Sequence, residues 1–176
     1  RKSSKSLARD VQKGGLRMSE ESFGAVQKLP VNGTKKQVVL QCAPLLTGIK
    51  LSNLLNVRSD QKEEVLRIFE GSPVCCRVLY EFQGRLSILL YRPGMLAAYL
   101  EREDVKKLMT SFGYENPDLE ETLNRIADAY QDHMNGKRGF PHEIGLVLGY
   151  PPVDVEGFIE KEGRDFLYSG YWKVYG

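Results

Sequence analysis

The sequence has little of several things. It carries two histidines and three cysteines, and its longest apolar runs, such as Ile88 to Tyr91, are only strand-sized. A membrane span needs about 18 uninterrupted apolar residues, so no transmembrane segment is expected. Cys42, Cys75 and Cys76 form no CxxC pair and no even-numbered framework, which excludes a disulfide scaffold and points to a reducing cytosol. With so few histidines and no second ligand pair beside Cys75-Cys76, zinc-type spacing is missing. No phosphate-cradling glycine loop, serine-nucleophile motif or kinase signature is present, and nothing names a cofactor.

The net charge of +2 is nearly balanced overall but unevenly placed. Residues 1–17 hold six basic groups and one acid, a local +5, which leaves 19 basic and 22 acidic residues, or −3, from Met18 onward. Such a leader can act as a basic arm for nucleic acid or membrane, or be a solvated, frayed terminus. A third reading comes from Lys13-Gly14-Gly15, which can be encoded as a purine-rich ribosome-binding sequence, with Leu16-Arg17 as the spacer before Met18. That reading makes Met18 the start and 1–17 translated leader. Residues 18–33 then form a loose lead-in and 34–176 one domain.

Within that domain, Thr34 caps a short helix to Cys42, stopped near Pro44 and Gly48. Leu51 to Val57 reads as a strand. Asp60 and Glu63 make a capping-box-like start for a helix carrying Val65, Leu66 and Phe69. Two β-branched and aromatic runs, Val74 to Phe82 and Arg85 to Tyr91, flank Gln83-Gly84 and predict a hairpin. Two short helices follow Pro93-Gly94. Asn116-Pro117 then opens the clearest amphipathic helix, with Leu119, Leu123, Ile126, Ala127, Tyr130 and Met134 along one stripe. Helices joined at Gly149-Tyr150-Pro151-Pro152 and a strand from Tyr171 to Tyr175 close the chain. Helices and strands do not alternate regularly. The expected class is therefore α+β: a single helix-rich domain with a small hairpin-containing sheet and a structural helix-turn-helix near the C-terminus.

The most constrained stretch is 139–160. Pro141 sets the first helical turn, with His142 and Glu143 beside it. A helix N-terminus holds His142 neutral and welcomes the Glu143 carboxylate, which suits metal ligation, proton acceptance or simple capping. Gly145 and Gly149, placed on one helix face, admit either a packed backbone or a flat ligand. The stretch also mimics a DNA-reading helix-turn-helix. Its would-be recognition helix offers Asp154, Glu156, Glu160 and Glu162 against Lys161, which argues against DNA.

Further candidates are Cys42 with nearby Lys50, as an activated thiol or a buried inert one, and Arg92 at a strand end, for an anion or a salt bridge. Tyr171, Trp172 and Tyr175 read as pocket lining or as a core strand. Three functions compete. A ligand-binding protein would gather Lys50, Arg92, His142, Glu143, Tyr150 and Trp172 around a small anionic molecule. An enzyme would use Cys42 as nucleophile and His142 as base. An interaction module would present Tyr150, Asp154 and Tyr171 to a redox protein.

The motifs Phe140-Pro141-His142-Glu143-Ile144-Gly145, Leu148-Gly149-Tyr150-Pro151, Asp154 to Ile159 and Gly170 to Tyr175 resemble the signature of a bacterial domain family of unknown function from anaerobic Gram-positive bacteria. Cys42-Ala43-Pro44, Gly48-Ile49-Lys50 and Leu90-Tyr91-Arg92 fit the same pattern. The likeness covers about Thr34 to Tyr175. It implies a small cytosolic accessory protein, linked to iron or redox physiology through genes for flavodoxin-like and iron-uptake proteins nearby, and a native chain that continues briefly past Gly176.

Overall fold

The computed structural model describes residues 33–169 and 173–175, with side chains from residue 38. The basic leader, the lead-in to residue 32, the Thr34 side chain, Tyr171 and Trp172 lie outside the described residues.

The domain is α+β, as its patterning implies. A three-stranded antiparallel sheet has order β1-β3-β2, formed by β1 (Ser52–Arg58), β2 (Cys75–Phe82) and β3 (Arg85–Tyr91). Gln83 and Gly84 join β2 to β3 with φ of 47° and 75°, the left-handed pair that a two-residue hairpin turn requires. Side chains alternate across a strand, so central β3 feeds two cores. Leu86, Ile88 and Leu90 face one layer, and Leu89 and Tyr91 face the other. A bulge between Val78 and Tyr80 lets β2 contribute both Leu79 and Tyr80 to the second.

The first layer is α1 (Gly33–Leu46) and α2 (Lys62–Phe69), which pack Val38, Cys42, Leu45, Val65 and Phe69 against the sheet. Two expectations are corrected here. Helix α1 runs through Pro44 instead of stopping before it. Pro44 has no N–H to return to Leu40 O, and the helix end is closed by its own carbonyl instead: Ile49 and Lys50 both donate to Pro44 O at 2.9 Å around Gly48, whose φ is 75°. Asp60 does not cap α2. It pairs with Arg58, and Gln61 Oε1 accepts from the Arg58 backbone N–H at 3.0 Å.

The second layer holds α3 (Pro93–Leu100), α4 (Glu103–Ser111), α5 (Leu119–Met134), α6 (Ile144–Val147) and α7 (Pro152–Glu160). Helix α5 buries Leu123, Ile126 and Tyr130 as its stripe predicts. Its cap, however, is Asp118, which accepts from Glu121 N–H at 2.7 Å; Asn116 sits in a turn at φ 50°. Met134, on the same stripe, is 44% exposed. A small arm, β4 (Tyr168–Ser169) paired with β5 (Lys173–Val174), folds back on α7. Among the described residues no helix is long and apolar enough to cross a membrane.

Candidate functional site

Between α6, α7 and the arm lies a cavity of about 400 Å³. Its walls are Ile144, Leu148, Val155 and Phe158; His142, Tyr150, Asp154, Ser169 and Lys173 supply its polar atoms. That volume and that mixture, apolar walls with a few polar groups, match small-molecule sites of roughly 300–1,000 Å³.

Local structure explains the opening. Pro141, His142 and Glu143 form a tight turn that runs directly into α6, as the proline-led start implies. Ile144 N–H returns to Pro141 O and Gly145 N–H to His142 O, and α6 itself lasts four residues. The short helix is pinned at its end by Ser52, whose hydroxyl donates to Val147 O at 2.6 Å. Gly149, at φ 80°, reverses the chain, and a Cβ there would meet Leu51 at 3.0 Å. Tyr99 donates its hydroxyl to Tyr150 O at 2.6 Å and fixes the entry to α7. A Cβ on Gly145 would meet Val155 at 3.0 Å, so that glycine lets α6 approach α7 closely. Gly145 and Gly149 are thus not on one helix face, because α6 ends before Gly149.

The imidazole of His142 is half-buried in a row of rings. Its centroid is 5.6 Å from Phe140 and 5.7 Å from Phe158, and His133 meets the far side of Phe140 at 5.3 Å. Phe140 and Phe158 are 46% and 38% exposed and form the rim. Lys173 lies over Phe158 and Phe166, at 5.9 and 4.7 Å, while its ammonium donates to Gly163 O. Asp154 is buried, and its Oδ1 accepts the Tyr175 N–H at 2.8 Å. The arm is therefore tied to α7 through a cavity residue.

The residues singled out in the sequence are not gathered in one place. His142 and Tyr150 share the cavity. Glu143 points away from it, buried, with Tyr114 Oη and Arg138 Nη2 each 3.5 Å from Oε1. Cys42 is fully buried in the core on the opposite face of the sheet, so it shares no cavity with His142 and the nucleophile–base pair is not formed. Burial pushes the Cys42 thiol up, more than the Asn53 contact and the Lys50 charge lower it. Lys50 is itself lowered by burial and donates to Asn53 Oδ1 at 3.4 Å.

Arg92 does emerge at the end of β3, but it is spent on helix α1. Nε donates to Leu45 O at 2.8 Å and Nη2 to Leu46 O at 2.6 Å, closing carbonyls that a helix end leaves open. It is not placed for a free anion. Nor is Asp154 part of an exposed acidic surface, since the Tyr175 backbone covers it. Trp172 lies outside the described residues. Among the described residues no group of three or more His, Cys, Asp or Glu is gathered as a metal-ion site.

In a filled helix-turn-helix Ile144, Leu148, Val155 and Phe158 would meet each other; here they line an opening together with Phe140, Ser169 and Lys173, for which the sequence offers no separate signal.

No curated protein and no solved structure matches the chain. Residues 38–176, well over half of the chain and all of the cavity, match the model of the family described as Protein of unknown function (DUF3793), and the chain belongs to that family.

Proposed function

We propose that the chain is a small-molecule-binding protein whose ligand is a flat, mostly apolar ring system carrying one polar group. The observation that carries this reading is the His142 ring held between Phe140 and Phe158 over a cavity of about 400 Å³ with apolar walls. Aromatic rings pack edge-on or tilted at these separations, and the imidazole supplies one polar contact beside Tyr150, Asp154, Ser169 and Lys173, as hydrogen-bond partner or axial-type ligand. The three free thiols support a reducing, cytosolic setting. Resemblance to a family with iron or redox associations supports an accessory role in that metabolism, where planar ring cofactors are the matching ligand class.

The test uses N-phenyl-1-naphthylamine, a neutral aromatic probe that brightens in apolar surroundings. Ser169 is exposed and lines the cavity opposite Lys173, so Ser169→Trp fills the space without entering the core. Saturable brightening with the wild-type chain, weakened about tenfold or more in Ser169→Trp, is expected. No brightening, or equal affinity in both, refutes the reading.

A second reading, an interaction module for a redox protein, draws on Leu167 and Tyr168, which are 74% and 68% exposed on the arm. It predicts that Leu167→Ser abolishes partner capture while leaving probe binding intact.

A further inference from the structure

A second opening lies at the far end of the sheet and uses none of the residues above. Strand register creates it. Arg58 of β1 stands opposite Arg85 of β3, and Arg85 opposite Phe82 of β2, so three side chains form one row on the α5 face. Asn56, Ser87 and Tyr80 form the next row inward. With Tyr130 and Met134 from the last turns of α5, these rows line a cavity of about 770 Å³.

Its chemistry is one-sided. The lining includes two arginines and no acidic residue. Like charges directly opposite on neighbouring strands destabilise a sheet. A single carboxylate, Asp60, offsets Arg58 in an exposed ion pair, and Arg85 has no hydrogen-bond or ion-pair partner among the described residues. The second row is polar as well, with Asn56 exposed and Ser87 buried. Ser87 Oγ donates to Asn56 Oδ1 at 2.7 Å, and the buried Tyr130 hydroxyl lies 3.5 Å from Ser87 Oγ. Because the Asn56 oxygen is occupied, its amide N–H groups are the side that remains without a protein partner among the described residues. Phe82, 54% exposed, and Tyr80 tilt against each other with centroids 6.2 Å apart, giving an aromatic wall next to the guanidinium groups.

We infer that this cavity binds a flat aromatic ligand bearing a phosphate or carboxylate, the anion on Arg85 and Arg58 and the ring against Phe82 and Tyr80. Guanidinium forks suit both anions, and the exposed Asn56 amide adds a donor beside them. The cross-strand repulsion is then a cost that ligand binding relieves.

The test titrates 1-anilinonaphthalene-8-sulfonate, an aromatic anion, into the full chain carrying Ser169→Trp. The first cavity is filled there, so failure of one site leaves the other readable. Saturable, salt-sensitive binding is expected, about tenfold or more weaker in Arg85→Gln and partly restored in Arg85→Lys. Melting of Arg85→Gln should hold or rise, because a like-charge pair is removed. Displacement by adenosine monophosphate or by 1-naphthoate identifies the anion as phosphate or carboxylate. Equal affinity in Arg85→Gln, or binding that salt does not weaken, overturns the inference.

Discussion

Substituting alanine for Gly157 isolates the contact that holds the arm, and with it one wall of the His142 cavity. Gly157 is buried in α7, and a Cβ there would lie 2.5 Å from both Cβ and Cγ of Tyr175. These atoms sit at the base of the side chain, so Tyr175 must move as a unit. Alanine gains about 1 kcal/mol in a helix interior, whereas forcing a methyl into a packed contact costs about 1–3 kcal/mol. If the arm lifts instead, the Tyr175 N–H bond to the Asp154 carboxylate is lost, a charge-assisted bond worth about 1.5–3 kcal/mol. Either route leaves the helix as good as before and the arm weaker. Hydrogen exchange measures the difference. The Tyr175 amide, and the Leu167 amide that donates to Val174 O, should exchange about 10–100-fold faster in Gly157→Ala, while α5 amides are unchanged. Gly139→Ala, where a Cβ meets nothing within 4 Å, serves as the neutral control. Unchanged arm protection in Gly157→Ala would refute the packing argument.

Three other outcomes follow from the same geometry. Iodoacetamide at pH 8 should label exposed Cys75 first, because burial keeps Cys42 protonated and holds the Cys76 thiol at about 11; rapid labelling of Cys42, followed by mass spectrometry, would contradict its placement in the core. Arg92→Met should cost about 2–3 kcal/mol in chemical denaturation, by opening Leu45 O and Leu46 O, without altering probe affinity; lost affinity at unchanged stability would return Arg92 to the ligand site. Burial raises Tyr99 and Tyr114 from 10.0 to about 12, so the folded state holds these phenol protons more tightly. Their contribution is complete below pH 10 and is lost as pH rises towards 12; urea midpoints should fall across that window, less steeply in Tyr99→Phe, and a flat profile would contradict the assignment.

Elements set by neighbouring residues were legible in the sequence, and those set by distant ones were not. The β2–β3 turn could be read because Gln83-Gly84 is a local requirement of the hairpin, and α5 because its stripe repeats over four turns. Caps were misplaced by a few residues at Pro44, Asp60 and Asn116, where several polar or breaking residues compete and tertiary partners choose among them. The site was harder. Arg92 reaches carbonyls 46 and 47 positions away, and no local pattern encodes that partner. Cys42 and His142 were paired as nucleophile and base, but the two faces of β3 separate them, and facing depends on sheet order. The Arg58–Arg85 row was equally hidden, since each arginine looks like an ordinary strand-end charge until β1 is laid antiparallel to β3. His142 and Tyr150 come to share one cavity because a proline-led turn and a glycine reversal position them locally.

The most direct measurement of the central claim is native mass spectrometry, with visible absorption, on chain purified anaerobically as wild type and as Ser169→Trp. Wild-type chain is predicted to carry a non-covalent aromatic ligand, seen as added mass and absorbance, that Ser169→Trp lacks. A wild-type chain of bare polypeptide mass, or a ligand retained equally in Ser169→Trp, would contradict the assignment of the His142 cavity as the binding site.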